Sequence, residues 1–307
     1  MQNAFKKRDI VLTLMVLPGF LYFIIFKYIP MAGIVIAFKD YRMGFGGFFT
    51  NLLYSQWSGF KNFRFLFASG DALNAIKNTI LYNLLWIVLG TLLGVAVAIM
   101  LNEIAFKKLS KVYQTLMFFP FFLSWVVVSY FVYAFLSKDA GFINNILRGM
   151  GAQPIDWYME PKYWPYILSI INLWKGVGYS SVIYLASICG IDYTYYEAAM
   201  IDGANKWQQA KAITIPMLTP ILIILTILSL GKIFSADFGL FFNVPMESGA
   251  LFSTTNVIDT YVYRAMISLG DFGMSTAAGL AQSFAGFILI LATNAVVRRI
   301  DEESALM

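Results

Sequence analysis

NTILYNLLWIVLGTLLGVAVAIMLN, residues 78–102, is an uncharged and mostly apolar run of 25 residues. The hydrocarbon core of a bilayer is about 30 Å thick, so a helix needs roughly 20 such residues to cross it. The run therefore predicts a transmembrane helix, and with it an all-α integral membrane fold.

Five other stretches have the same length and character. The predicted spans are residues 10–38, 78–102, 112–137, 163–191, 212–235 and 272–297, and Lys27 and Lys175 interrupt the first and the fourth. The first stretch has no small-residue cleavage site behind it and is longer than the apolar part of a signal peptide, so it predicts a retained helix. We expect six transmembrane helices and a single membrane domain, residues 1–307.

The composition of the whole chain agrees with this class. Of its residues 59% are hydrophobic and 13% are charged, whereas soluble domains carry about 25% charged residues. Lys and Arg are more than twice as dense in the loops on the N-terminal side of the predicted spans as in the other loops. Because cytoplasmic loops carry this excess, both termini are predicted to be cytoplasmic, with the chain in the plasma membrane.

The basic balance and the missing residue types exclude several functions. The net charge of +5 comes largely from residues near span ends, where anionic membrane lipid accounts for it, so we expect no nucleic-acid partner. The chain has no histidine and one cysteine, Cys189, which leaves no Ser-His-Asp triad, histidine-ligated metal or thiolate cluster. The prediction is that it is not an enzyme and binds no metal or cofactor itself.

The cytoplasmic loop between the fourth and fifth predicted spans, residues 192–216, reads DYTYYEAAMIDGANKWQQAKAITIP. Thr194 followed by Glu197 has the spacing of a capping box, in which two side chains satisfy backbone N–H groups at a helix start. Gly203 can adopt the left-handed conformation that ends many helices. The pattern predicts a short helix that stops at a glycine elbow.

A second capping pair, Asn205 with Gln208, predicts another short helix after the glycine. The two helices present small and apolar side chains: Ala198, Ala199, Met200, Ile201, Ala204 and Trp207. This surface favours insertion into a groove of a soluble partner. The alternative is a pair of amphipathic helices that lies on the membrane surface.

The order of residues in this loop resembles the EAA loop of permeases of binding-protein-dependent ABC importers. The resemblance rests on Glu197, Ala198, Ala199, Gly203, Ile213, Thr214 and Pro216 at the family's spacing, with Ile215 where leucine is usual. Segments 59–63, 78–79 and 141–144, together with Pro120, are similar to the carbohydrate-uptake branch. Segments 175–181, 259–264 and 298–306 are similar to its LplB-type oligosaccharide and polysaccharide permeases.

The resemblance implies a set of partners. They are a cytoplasmic ATPase dimer that holds ATP and Mg, a second homologous permease, an extracellular substrate-binding lipoprotein and an oligosaccharide. This chain lacks the Gly-x-x-x-x-Gly-Lys-Ser/Thr phosphate loop, so ATP must bind another subunit. Glu197 and Gly203 would be the anchor and elbow of the coupling loop. Glu197 has two competing roles, as a local helix cap or as an ion-pair partner of the ATPase.

Candidate residues of the substrate path are polar side chains at helical spacing within the last three spans. They are Asn172, Lys175 and Tyr179, then Ser229 and Lys232, then Gln282 and Ser283. Ionisable groups at membrane depth are costly and default to functional candidates, and a sugar needs both hydrogen bonds and aromatic faces. Small and polar residues also join membrane helices by packing, and that alternative stays open.

A different class of function is a self-sufficient secondary transporter or channel. Such a protein needs coupling carboxylates near the middle of the membrane. The six predicted spans contain neither aspartate nor glutamate, which favours the importer.

Overall fold

The computed structural model describes residues 2–42, 44, 47–64 and 69–300, and only the backbone of residues 2–9, 269 and 300. Within these ranges the regular structure is helical and contains no strand, as predicted. The helices are α1 Gln2–Phe23, α2 Gly47–Tyr54, α3 Gly70–Glu103, α4 Lys107–Phe118, α5 Trp125–Leu136, α6 Phe142–Gly149, α7 Trp164–Cys189, α8 Thr194–Ile201, α9 Lys206–Leu230, α10 Phe238–Asn243, α11 Phe252–Thr255, α12 Ile258–Leu269 and α13 Phe272–Ile300.

Several helical runs are long and apolar enough to cross a bilayer. Among the described residues these are Ile10–Phe38, Gly70–Glu103, Lys206–Leu230 and Phe272–Arg299. The bent pair α4 and α5 makes a fifth if it is taken as one span. Helix α7 has 26 residues but is less apolar, because Asn172, Lys175 and several serines interrupt it. Four or five spans follow from length and hydropathy together.

The predicted span 112–137 is not one continuous helix in the structure. The chain bends by 98° between Lys107–Phe122 and Trp125–Leu136. Pro120 has no N–H to continue the helical bonds. Leu123 and Ser124 are extended, and the Ser124 hydroxyl accepts a hydrogen bond from Val127 N–H at 3.3 Å, which starts α5 anew.

The predicted span 212–235 has different limits in the structure. Its helix begins at Lys206, inside the segment predicted as loop, because a cap at Asn205 starts it there. It continues through a wider π-type turn, Ala210–Thr214, which precedes Pro216, and it ends at Leu230. Residues 231–237 are turns and extended chain rather than helix.

The described residues form two compact units. The first comprises Met1–Ser69 with Val262–Ala281. In it, the Asn62 carboxamide donates to the backbone carbonyls of Ala37 at 3.0 Å and Lys39 at 2.8 Å. The buried Lys39 side chain donates to the Leu52 carbonyl at 2.6 Å. These bonds order the segment that follows the first apolar run.

The second unit comprises Gly70–Tyr261 with Gln282–Met307. Helices α3 and α7 pack along each other. A core cluster at one end includes Trp164, Leu168 and Phe241, and another further along includes Tyr184 and Leu218, all buried. Gly178 of α7 faces the backbone of Met117 so closely that a Cβ there would overlap the Met117 carbonyl. This close approach brings the bend after α4 against α7.

Gly178→Ala should destabilise the second unit by about 3 kcal/mol, because a methyl group cannot be accommodated against a backbone carbonyl. Gly176→Ala is the matched control, since no atom lies within 4 Å of a Cβ built there. The apparent melting temperature of the purified chain in mild detergent measures both variants. Equal melting temperatures for the two would contradict the close packing of α7 on Met117.

Candidate functional site

The helix α8 starts differently from the prediction. The Asp192 carboxylate, not Thr194, caps it by accepting the Thr194 N–H at 3.0 Å. That bond also holds the pKa of the Asp192 carboxyl below its ordinary value. The predicted capping box of Thr194 with Glu197 is wrong, because Thr194 is already the first helical residue. Glu197 therefore does not cap helix α8 in this structure.

The glycine elbow is confirmed. Gly203 has φ +79°, and its N–H donates to the Met200 carbonyl at 3.1 Å while the Ala204 N–H donates to the Ala199 carbonyl at 2.9 Å. These two bonds are the Schellman pattern, which satisfies the last carbonyls of a helix and favours glycine at the left-handed position.

The second capping box is also confirmed. The Asn205 N–H donates to the Gln208 side chain at 2.7 Å, and the Gln208 N–H donates to the Asn205 side chain at 3.0 Å. The helix that starts here is α9, so one helix runs from the elbow to Leu230.

One side of the elbow is tied to the rest of its unit. The hydroxyls of Tyr196 and Thr214 are 2.9 Å apart and buried. The Lys206 ammonium lies 3.0 Å from the Glu103 carboxylate at the end of α3. The buried Gln209 amide donates to the Ala204 carbonyl at 2.9 Å. These contacts join α8 to α9 and tie the start of α9 to the end of α3.

The other side of the elbow is open. Ile201 is 87% exposed and Trp207 is 73% exposed, and Ala198 is exposed too. The exposed Glu197 carboxylate has no hydrogen bond or ion pair with the part of the chain that the structure describes. An apolar surface with one free carboxylate is left for a partner.

A cavity of about 450 Å³ lies along helices α3 and α7 and the end of α9. Four of the predicted path residues line it: Asn172, Tyr179, Ser229 and Lys232. Gln282 and Ser283 are not among the lining residues. Aromatic side chains and polar groups share the wall, which is the combination that a sugar ring with its hydroxyls requires.

Several lining residues were not predicted from the sequence. They are Asn83, Trp86, Thr91, Ser180, Tyr184, Ser235 and Asp237, together with apolar neighbours. Asn83, Trp86, Gly90 and Thr91 recur at helical spacing within the apolar run 78–102. That polar stripe is the signal that could have found them.

Lys175 lies beside the cavity rather than in its wall. Its ammonium donates to the backbone carbonyl of Phe121 at 2.7 Å, where the chain bends between α4 and α5. It also lies 5.3 Å from the Phe121 ring and 5.1 Å from the Trp125 ring. The Trp125 indole N–H donates to Asp237 at 2.8 Å. Lys175 thus supplies a donor to backbone that the bend leaves without a helical partner.

The non-helical segment 231–237, which follows α9, is held by three side chains. Asn83 donates to the carbonyls of residues 233 and 235 at 2.8 and 2.9 Å. Gln282 donates to the carbonyl of residue 234 at 2.7 Å. The Asp259 carboxylate accepts the N–H of residue 236 at 2.7 Å. Gln282, a candidate path residue from the sequence, is not among the lining residues of the cavity and bonds to the segment that lines it.

Comparison with known proteins assigns the family. A profile described as "Binding-protein-dependent transport system inner membrane component" matches residues 90–302. The chain belongs to this family and is a permease subunit of an ABC importer, not an enzyme.

Relatives cover nearly the whole chain. The polygalacturonan/rhamnogalacturonan transport system permease protein YteP of Bacillus subtilis is 35% identical over 95% of this chain and 89% of its own. Protein LplB of the same organism is 32% identical over 98% of this chain and 92% of its own. A bacterial alginate ABC transporter, solved in complex with an alginate pentasaccharide-bound periplasmic protein, superposes with a TM-score of 0.83 at 33% identity, covering 96% of each chain.

Lys175→Met should lower the stability of the purified chain by about 2 kcal/mol, because it removes a charged donor from a carbonyl at the bend. Lys77→Met is the control, since Lys77 is exposed on α3 and is not a lining residue of the cavity. Thermal unfolding in detergent measures the difference. If both variants unfold like the wild type, Lys175 does not support the bend.

Proposed function

We propose that this permease moves an oligosaccharide through the cavity along α3, α7 and α9. The observation that carries the proposal is the wall itself, which combines the rings of Trp86, Tyr179 and Tyr184 with the free amide of Asn172. Rings contact the apolar faces of sugars, and amides bond to their hydroxyls. The sugar polymers named for YteP and for the alginate transporter support the same substrate class.

The proposed topology has six spans. We count helix α7, residues 164–189, as the sixth span, in addition to the four apolar runs and the bent pair. Its polar residues line the cavity instead of facing lipid. An even number of spans puts both termini on one side, and the Lys and Arg distribution makes that side the cytoplasm. The chain is then one membrane domain, residues 1–307, in the plasma membrane.

The elbow is the proposed docking point of a cytoplasmic ATPase pair, which binds ATP and Mg. Its exposed apolar surface and its rigid attachment support this role. Glu197 is free to pair with a basic group of the ATPase, Ala198 and Ala199 allow close approach, and Gly203 sets the angle. Ile213 and Pro216 belong to the part of α9 that follows the elbow.

Two further partners complete the proposed importer. A second homologous permease closes the cavity, which is open in the single chain. An extracellular binding lipoprotein delivers the sugar, and the periplasmic protein in the alginate transporter complex supports its presence. A self-sufficient secondary transporter is not proposed, because the family is one of binding-protein-dependent transport and the predicted spans lack carboxylates.

Gly203→Pro should release the ATPase from this permease, because proline cannot adopt the positive φ of the elbow. Gly151→Pro is the matched control: Gly151 has φ +76° and lies in the turn after α6. Affinity purification in mild detergent with mass spectrometry measures the bound ATPase. If Gly203→Pro retains the ATPase as well as the wild type does, the elbow is not the docking point.

Asn172→Leu should raise the sugar concentration for half-maximal uptake about fivefold, since each neutral hydrogen bond contributes about 1 kcal/mol. Its folding should be unaffected, because the Asn172 amide has no hydrogen bond within the described residues. Gln114→Leu, at a half-buried amide on α4 away from the cavity, is the control. ATP-driven uptake into proteoliposomes measures both, and an unchanged half-saturation for Asn172→Leu would remove it from the path.

A further inference from the structure

The cavity wall contains one basic and one acidic side chain. Lys232 and Asp237 both line the cavity. The Lys232 side chain is exposed, and its ammonium makes no ion pair, hydrogen bond or ring contact with the residues that the structure describes. Charged groups at membrane depth usually pair with one another or mark a substrate pathway, so this free ammonium is a candidate for contact with the substrate.

The acidic group in the cavity wall, the Asp237 carboxylate, already has hydrogen-bond partners. One Asp237 oxygen accepts the Trp125 indole N–H at 2.8 Å, and the other accepts the Leu240 N–H at 3.2 Å as the cap of α10. The Lys232 ammonium is therefore the charged group of the wall that has no partner among the described residues.

The backbone segment that carries Lys232 is held in place before any ligand binds. The segment 231–237 leaves the helix at Leu230, and Asn83, Asp259 and Gln282 hold its backbone through four hydrogen bonds of 2.7 to 2.9 Å. The buried side chain of Ile233 anchors it further. Non-helical backbone at membrane depth is tolerated where it lines a cavity and is satisfied by neighbours. A preorganised segment presents its ligand groups with little ordering cost.

We propose that the Lys232 ammonium is a binding subsite for a carboxylate of the transported sugar. The cavity then selects oligosaccharides that contain uronic acid over neutral ones. The inference rests on the proposed oligosaccharide function and names its substrate class. A uronate ring supplies the missing negative charge at Lys232 and hydroxyls for Asn172, Ser229 and Ser235 in the same wall.

The test uses the assembled importer, without its binding protein, in nanodiscs of uncharged lipid. Isothermal titration compares trigalacturonate with its carboxyl-reduced, neutral trisaccharide. The wild type should bind trigalacturonate at least about tenfold more tightly, as a charge-assisted hydrogen bond provides, and this preference should shrink as salt is raised. Lys232→Gln should lose the preference and bind the two trisaccharides about equally, whereas Lys232→Arg should retain most of the preference.

Lys77→Gln makes the same charge change outside the cavity and should bind like the wild type. Full preference in Lys232→Gln, or equal binding of the two trisaccharides by the wild type, would overturn the subsite. In the second case the importer still binds sugar, so the proposed function stands. If the wild-type complex binds neither trisaccharide, and the full system with its binding protein takes up neither, the oligosaccharide function fails and the subsite fails with it.

Discussion

A backbone that leaves a helix inside an apolar layer must find new hydrogen-bond partners, and this constraint acts at two places in the second unit. At the bend after α4, the Lys175 ammonium satisfies the Phe121 carbonyl. At the segment 231–237, Asn83, Asp259 and Gln282 satisfy four backbone groups. Burial raises the pKa of the Asp259 carboxyl, and its hydrogen bonds act in the opposite direction. The segment 231–237 contributes residues to the cavity wall, and each break requires a polar side chain from another helix.

Helix α9 connects the two functional regions. It starts at the capping box of the elbow and ends where the segment 231–237 begins, a length of 25 residues or about 37 Å at 1.5 Å per residue. In the proposed importer, a rigid shift of this helix by the ATPase moves the cavity wall with it. The small elbow surface can therefore act on a site far across the membrane without a separate relay.

Local sequence signals predicted the parts of the site that depend on nearest neighbours in the chain. Gly203 and the pair Asn205 with Gln208 behave as their spacing predicts, since cap and turn bonds close over three to five residues. The same reasoning failed at Thr194, because Asp192 two residues earlier competes for the same N–H. Local spacing could not identify the partners of Gln282, which are 23 and 48 residues away in the chain.

The sequence by itself determined the class of the protein. The length of its apolar runs, the missing catalytic residue types and the order of residues in the elbow are all local properties that the membrane and helix geometry constrain. Only the tertiary structure decided which polar residues face the cavity and which support it. Lys175 and Lys232 look alike in sequence. In the structure Lys175 bonds to the Phe121 carbonyl at the bend, whereas Lys232 has no partner among the described residues. The difference arises because packing between distant helices sets the positions of the bend and of the segment 231–237.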